Sequence, residues 1–321
     1  MIVNEWDSNF TAKYGHHFPE TYLTFDTEYC GSNEREDFIM EIGHTMVEDG
    51  VVIDKLNVVL NWYGHPEVQQ SQLDYKLNNM RHHVGPGWVL LPHAVREQGI
   101  DPIKALRFYQ KLFAAWNKRG LPFVAQNGQS ADERMIRGNF NRFINQPFEL
   151  PPNGYFDTGA IFKATQIWNA TEGDAVNHKQ MMLPHRSETL KEYFHRIIYT
   201  KMSGVKWGLD SILDHYKLVE KHTVTEEQRH TAGFDAECLH WIMEEYRSRV
   251  TGSNLEENPF SSSQAMQRTF EEEQAKHKLN NEAAKKLKDK DKPEEAPSTA
   301  QPKRPRRRIT QKRPKRRQRR V

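Results

Sequence analysis

Alternating apolar and polar residues, which are typical of β-strands, run from about residue 21 to residue 61. The stretch YLTFDTEY carries residue types that favour a pleated, half-buried surface, and the run from 37 to 62 alternates on both sides of Asp49 and Gly50. Asp-Gly between two alternating runs is a strong signal for a tight hairpin. The pattern therefore predicts three antiparallel strands, at about 21–27, 38–48 and 51–61.

A helix with marked start and stop signals follows. Asp101 is a favoured N-cap residue, Pro102 suits the first helical position, and Gly120 suits the residue after the last turn. The helix leads into LPFVAQN, a short apolar strand compatible with a buried position beside the first strand. Before the helix, residues 63–99 contain the helix-breaking sequence GPG, which predicts an irregular segment with short helices.

Asp132 begins the apolar stripe of a later helix. Counted from it, Ile136, Phe140 and Phe143 fall four, eight and eleven residues on, which is one face of an α-helix. This spacing points the Asp132 side chain toward the interior. An acid in a first helical turn also interacts favourably with the helix dipole, so a purely structural role stays open.

The last folded segment repeats this arrangement. Its apolar stripe consists of Leu239, Ile242, Met243 and Tyr246. Asp235 lies one turn before the stripe and also points inward, and His230 precedes Asp235 by five residues on the loop that leads in. The alternative for His230 is a structural or surface role.

Residues 151–206 give mixed signals. A strand is predicted to end near Asp157 with a helix after it, and an inserted loop and helix are predicted in the middle of the segment. Helical spacing resumes from Trp207 to Tyr216.

Asp26 and Glu28 place two carboxylates on one face of the first strand, because side chains two apart in a strand point to the same side. Two ionised groups that are close together and partly buried repel each other and lose hydration. A divalent metal ion is the simplest compensation, since hard cations take oxygen ligands and leave positions for water and phosphate. The alternative is a strand that ends near Asp26, with both acids in a solvated turn before Cys30.

Composition limits the class of protein. The chain has 321 residues, enough for one large domain or two small ones. Its two cysteines cannot form a disulfide framework and favour a reducing compartment. No stretch resembles a signal peptide or a membrane span, so a soluble, cytoplasmic protein is expected.

Charge is unevenly distributed along the chain. The net charge is +3, yet residues 303–320 hold twelve Lys or Arg and no acid, so the remainder is acidic. We expect a folded domain at 1–250 with its core at about 20–247, a charged, partly helical linker at 251–296 and a disordered basic tail at 297–321. The tail would contact phosphate backbones without sequence preference or serve as a nuclear localisation signal. A merely solvated charge run is the alternative.

Taken in order, the acids predict a metal site. Asp26 and Glu28 on a central strand, Asp132 after a later strand and Asp235 in the final helix can converge on one side of a sheet. Four carboxylates suit two Mg²⁺ or Mn²⁺ ions about 4 Å apart, which activate a water and stabilise the leaving oxygen of a phosphodiester. Histidine can accept a proton from such a water near neutral pH, which makes His230 the candidate base.

Three stretches that contain these residues resemble the motifs of the DEDDh exonucleases, the family that includes ribonuclease T and the proofreading subunit of the bacterial replicase. FDTEYCG with IMEIGHTMVEDG resembles the first motif and second strand, VAQNGQSADERMI the second motif, and RHTAGFDAECL the third. The resemblance covers about residues 20–247. It implies a ribonuclease H-like α/β fold, with a mixed five-stranded sheet flanked by helices, and hydrolysis from the 3′ end that releases nucleoside monophosphates.

The resemblance also implies a role for each site residue. Asp26 would bridge both metals, and Glu28 and Asp235 would hold the metal that binds the nucleophilic water. Asp132 would act through the second site or through an intervening water. His230 would be the general base.

The chain departs from the family pattern in three ways. Asn127 and Asp132 are five residues apart, where many relatives have a spacing of four. The three-prime repair exonucleases of animals also use the wider spacing. Gln126 stands where many members have histidine, and the segment between Asp157 and Trp207 is longer than in compact members. These departures leave the metal site in place but leave substrate selection open.

The leading hypothesis is a metal-dependent 3′–5′ exonuclease acting on a single-stranded end of DNA or RNA. The alternative is a non-catalytic nucleic-acid-binding or partner-recruiting protein that acts through the basic tail. DNA is favoured only slightly over RNA as the partner, because the expected contacts are mainly to backbone and terminal sugar. The sequence does not identify a polymerase or replication partner, and no membrane partner is expected.

Overall fold

The computed structural model describes residue 13 and residues 18–84, 89–151, 154–224 and 230–251. All of them belong to one compact unit, Met1–Glu257. Apart from Thr251, the predicted linker and the predicted basic tail lie outside the described residues.

A mixed five-stranded sheet forms the centre of the fold, in the order β3-β2-β1-β4-β5. The strands are β1 (Tyr22–Tyr29), β2 (Ile39–Glu48), β3 (Val51–Val59), β4 (Phe123–Ala125) and β5 (Tyr155–Asp157). β1 pairs antiparallel with β2, and β2 pairs antiparallel with β3, whereas β4 runs parallel to both β1 and β5. The predicted α/β fold class is confirmed, and the strand order is consistent with a ribonuclease H-like fold.

Helices connect and cover the strands. In chain order they are α1 (Gln70–Val84), α2 (Pro92–Gln98), α3 (Pro102–Lys118), α4 (Asp132–Asn139), α5 (Thr158–Asn169), α6 (Asp174–Asn177), α7 (Leu190–Tyr199), α8 (Leu209–His215), α9 (Leu218–Lys221) and α10 (Ala232–Thr251). A π-helical turn, Phe140–Ile144, continues α4, and a 3-10 helix, Lys179–Met182, lies between α6 and α7. Within the described part of the chain, no helix combines the length and apolar character needed to cross a membrane.

The hairpin predicted between the second and third strands is present. Asp49 and Gly50 both have positive φ angles, 50° and 77°, as a tight two-residue turn between twisted strands requires. Glu48 pairs with Val51 directly beside the turn. The local dipeptide therefore sets the register of β2 against β3.

β1 presents opposite faces to two helices. The ring of Phe25 lies 5.5 Å from that of Phe113 in α3. On the other face, the hydroxyl of Thr24 donates a hydrogen bond of 2.6 Å to the carbonyl of Ala236 in α10. Because Asp26 shares a face with Thr24, it lies on the side of the sheet that α10 covers.

The start and stop signals predicted for α3 are confirmed. The carboxylate of Asp101 accepts hydrogen bonds from the backbone of Ile103 and Lys104, at 2.8 and 3.2 Å. Gly120 follows the helix with a φ of 68°, in the left-handed region that favours glycine. The long α3 thereby covers one face of the sheet and leaves the other to α10.

Segment 63–99 is more regular than predicted, because it contains the 15-residue α1 as well as α2. Leu73 and Leu77, one turn apart, are buried and anchor α1. Most other α1 residues are polar, so too few apolar residues repeat at helical spacing to predict the helix from the sequence.

The remaining predictions between β4 and α10 hold in outline. β5 ends at Asp157 and α5 begins at the next residue, as predicted. The predicted inserted helix is α7, which begins with a capping box formed by Thr189 and Glu192. α8 begins at Leu209 and not at Trp207, because the backbone of Gly208 is extended, with a ψ of 161°.

Candidate metal centre

Asp26 and Glu28 lie in the second half of β1, on the face that α10 covers. Asp26 is paired with Gly43 of β2 and Glu28 with Glu41. Both side chains are half-buried. Because β1 continues to Tyr29, the alternative in which the strand ends near Asp26 is wrong.

Asp235 reaches the same face from the first turn of α10. The helix can start this close to β2 because Gly43 has no side chain, and a Cβ there would overlap the backbone of Ala232 and Gly233. One ligand oxygen from each of Asp26, Glu28 and Asp235 lies within 4.8 Å of the other two. The fold therefore brings three of the predicted site residues together at one point.

Glu41 and Asn57 hold the first turn of α10 against the sheet. One carboxylate oxygen of Glu41 accepts from the backbone N–H of Ala232 at 2.9 Å, and the other accepts from the side-chain amide of Asn57 at 2.6 Å. The Asn57 oxygen in turn accepts from the N–H of Gly233 at 2.9 Å. N–H groups in a first helical turn have no partner within the helix. These bonds satisfy two of them and fix the position from which Asp235 extends.

Asp132 is the first residue of α4 and is tied to β1 through Thr27. The backbone N–H and the hydroxyl of Thr27 both donate to Asp132 Oδ1, at 2.9 and 2.6 Å. The Asp132 side chain is buried. It lies beside the cluster of Asp26, Glu28 and Asp235 and is not one of its members.

Burial and mutual repulsion raise the pKa values of these carboxyl groups. The pKa values of Asp26 and Glu28 lie well above their usual range, chiefly because of burial. Three further carboxylates raise both: Asp132, Asp235 and Glu41. Burial also raises the pKa of Asp132, to about 7. A cation between these groups would relieve the repulsion, and carboxylate oxygens are donors that Mg²⁺ and Mn²⁺ prefer, so the donor set fits a hard divalent ion.

Asp157, at the end of β5, supports the turn that leads to Asp132. It is buried, and its carboxylate accepts from the N–H of Ala160 at 2.9 Å, which caps α5. Burial raises the pKa of Asp157 to about 6. The backbone hydrogen bonds that counteract this rise come from Ala160, Asn127, Gly159 and Gly128. The carboxylate thus joins the start of α5 to the turn between β4 and α4.

His230 lies two residues before α10 begins at Ala232. Its backbone is left-handed, with a φ of 59°, and its side chain is half-buried. Residues 225–229 before it lie outside the described residues. The fold places the backbone of His230 at the same end of α10 as Asp235, and its role as a base stays a prediction.

Gln126, the residue at the position where many DEDDh members have histidine, makes structural contacts. Its side-chain amide donates to the carbonyl of Trp207, and its side-chain oxygen accepts from the hydroxyl of Thr158. These bonds tie the end of β4 to the start of α5 and to the segment that leads into α8.

Sequence reasoning missed Glu41, Asn57 and Thr27, and it identified Asp157 only as the end of a strand. A signal for Glu41 was present, since it is a charged residue inside the buried strand sequence IMEIG and shares a face with Gly43. Asn57 and Thr27 carry no comparable signal, because a polar residue is ordinary in an exposed edge strand and threonine is ordinary in any strand.

Comparisons with known proteins return structural neighbours only, since no family model and no curated protein matches the chain. The chain is similar to E. coli exonuclease I in complex with a dA16 oligonucleotide, at 13% identity and a TM-score of 0.45, over 72% of this chain and 41% of that chain. A product-bound structure of exonuclease I gives 12% identity and a TM-score of 0.43, over 72% and 43%. The chain thus spans less than half the length of these neighbours. Likeness at this level carries no argument about function, which is argued from the residues of this chain.

Proposed function

We propose that this chain is a metal-dependent 3′–5′ exonuclease that hydrolyses phosphodiester bonds at a single-stranded end of DNA or RNA and releases nucleoside monophosphates. The observation that carries the proposal is the meeting of Asp26, Glu28 and Asp235, one oxygen from each lying within 4.8 Å of the others. The direction of digestion and the products are supported by the order of the three DEDDh-like motifs in the sequence.

Carboxylates at this separation repel a phosphate unless cations lie between them. Mg²⁺ or Mn²⁺, with two ions per site, would lower the pKa of a bound water and stabilise the charge on the leaving oxygen. Asp26, Glu28 and Asp235 would hold these ions. Asp132 would contribute through the second site or an intervening water, and its orientation is set by the two hydrogen bonds from Thr27.

His230 would accept the proton of the attacking water. As the water oxygen bonds to phosphorus, the bond from phosphorus to the 3′ oxygen of the neighbouring nucleotide breaks, and that oxygen is protonated from solvent. Glu41 and Asn57 would not touch the substrate in this scheme. They would keep Asp235 within reach of the acids of β1 through the backbone of Ala232 and Gly233.

The test is single-turnover digestion of 5′-labelled single-stranded DNA and of RNA with the same sequence. We expect a ladder that shortens from the 3′ end with Mg²⁺, and no shortening with EDTA or with Asp26→Asn. Glu97→Gln, which removes an exposed carboxylate in α2, is the matched control and should leave the ladder unchanged. Cleavage that persists in Asp26→Asn would show that this carboxylate cluster is not the active site. The ratio of the rates on DNA and on RNA would identify the preferred sugar.

The basic tail at 297–321 is proposed to raise affinity through contacts with phosphates. Deletion of the tail separates an enzyme from a protein that only binds nucleic acid. The enzyme should keep turnover on short oligonucleotides with a shallower salt dependence, because fewer counterions are released on binding. Loss of all measurable function on deletion would instead favour the binding protein.

A further inference from the structure

A shallow cavity of about 530 Å³, largely open to solvent, lies between the end of α7 and the segment that leads into α8. Two hydrogen bonds connect its lining to the second motif. The hydroxyl of Tyr199 donates to Ser130 Oγ at 2.7 Å, two residues before Asp132, and the side chain of Gln126 donates to the carbonyl of Trp207. The cavity therefore borders the loop that places Asp132 beside the carboxylate cluster.

The cavity lining combines aromatic rings with cations. Tyr199 is 57% exposed, a high value for an aromatic residue, and Lys201 beside it is also exposed. Trp207 is half-buried and forms part of the wall. Residues 197–209 contain two lysines and no acid. A surface of this kind suits a ligand that carries both negative charge and flat rings.

The cavity also has a fixed wall, which is held by Lys163. Its ammonium group donates to the carbonyls of Ile198 and Thr200 at the end of α7, at 2.8 and 2.6 Å. The same group lies 5.4 Å from the centre of the Trp207 ring. Lys163 is thus engaged in structure. Tyr199, Lys201 and Ser203 are the exposed residues of the lining, and of these Tyr199 carries a ring and Lys201 a charge.

Stacking on an aromatic side chain requires a base with an open face, which a single strand offers and a duplex does not. We propose that this cavity binds the single-stranded part of the substrate upstream of the nucleotide being removed, with a base stacked on Tyr199 and a phosphate contacted by Lys201. The inference rests on the proposed function and adds a binding site, formed by Tyr199 and Lys201, for nucleotides beyond the one being removed. It also gives a role to the segment between Asp157 and Trp207.

The test compares KM for a single-stranded decanucleotide with KM for a dinucleotide that is too short to reach the cavity. Tyr199→Ala should raise KM for the decanucleotide at least about fivefold relative to KM for the dinucleotide, as expected for the loss of one stacked base. Tyr199→Phe keeps the ring and should raise KM for the decanucleotide much less. Lys201→Gln should reduce the slope of log KM against log salt by about 0.7, the value for one phosphate contact on a single strand. Lys111→Gln, an exposed lysine in α3 on the other face of the sheet, is the charge-matched control.

Equal changes in KM for both substrates would overturn the proposal. A Tyr199→Phe variant with as high a KM for the decanucleotide as Tyr199→Ala would also overturn it, because the effect on KM would then come from loss of the hydrogen bond to Ser130 and not from loss of stacking. If the parent chain hydrolyses neither the decanucleotide nor the dinucleotide with Mg²⁺, the proposed function fails instead. Fluorescence anisotropy of a labelled decanucleotide in EDTA then tests the cavity without turnover. Weaker binding by Tyr199→Ala supports the subsite, and unchanged binding or a preference for blunt duplex overturns it.

Discussion

Asp132→Asn is expected to stabilise the metal-free protein at pH 8. Burial raises the pKa of the Asp132 carboxyl from 3.8 to about 7. Each pKa unit corresponds to about 1.4 kcal/mol, so ionisation of this buried group lowers the free energy of unfolding by roughly 4 kcal/mol. Asparagine has nearly the same shape, and its oxygen can still accept both hydrogen bonds from Thr27. The substitution therefore removes the charge and keeps the contacts.

The pH dependence of this gain follows from proton linkage. Because the pKa of Asp132 is higher in the folded chain than in the unfolded chain, the folded chain binds more protons between about pH 4 and pH 7. The free energy of unfolding of the parent therefore falls as the pH rises through this window, and the penalty is constant above it. Asp132→Asn should gain little at pH 4 and most at pH 8.

Urea denaturation in EDTA at these two pH values measures the effect. Glu97→Gln is the matched control for loss of an exposed carboxylate, and its free energy of unfolding should stay within about 0.5 kcal/mol of the parent. An ion that binds only the folded state raises its stability. Added Mg²⁺ should therefore stabilise the parent more than Asp132→Asn, which lacks one negative charge beside the cluster. No gain at pH 8, or the same gain at both pH values, would refute the reasoning.

Two further predictions concern the start of α10. Gly43→Ala should lower the free energy of unfolding by about 1–3 kcal/mol or more and remove most of the activity, since a Cβ would overlap the backbone of Ala232 and Gly233. An unchanged melting temperature would contradict this. Glu41→Gln should raise the Mg²⁺ concentration for half-maximal activity about tenfold, because the amide it introduces faces the amide of Asn57. Adding Asn57→Asp provides one acceptor for that introduced amide and one for the N–H of Gly233, so the double variant should return toward the Mg²⁺ requirement of the parent. A Mg²⁺ requirement equal to or higher than that of Glu41→Gln would argue against a positioning role.

The sequence was most informative where structure depends on neighbouring residues. The hairpin at Asp49 and Gly50 and the caps of α3 were predicted because turn and cap chemistry is local. The shared face of Asp26 and Glu28 followed from the two-residue period of a strand. The length of α1 was not predicted, because among its side chains at 70–80 only Leu73 and Leu77 are buried and apolar, too few to define a helical stripe.

Contacts between residues far apart in the sequence could not be predicted in this way. The hydrogen bonds that Ala232 donates to Glu41 and Gly233 donates to Asn57 exist because α10 docks on β2 at Gly43. Neither the acidic residue nor the glycine indicates its partner by pattern alone. The same holds for Tyr199, whose exposure next to the second motif depends on how α7 packs.

The distribution of the cluster along the chain has a consequence for its synthesis. β1 supplies Asp26 and Glu28 near the start of the described chain, and α10 supplies Asp235 near the end. A nascent chain on a ribosome therefore carries two carboxylates of the cluster long before the third is translated. The trio cannot assemble until α10 has been made and has docked on β1 and β2, so any hydrolysis at this centre begins only after nearly all of the described chain has been synthesised.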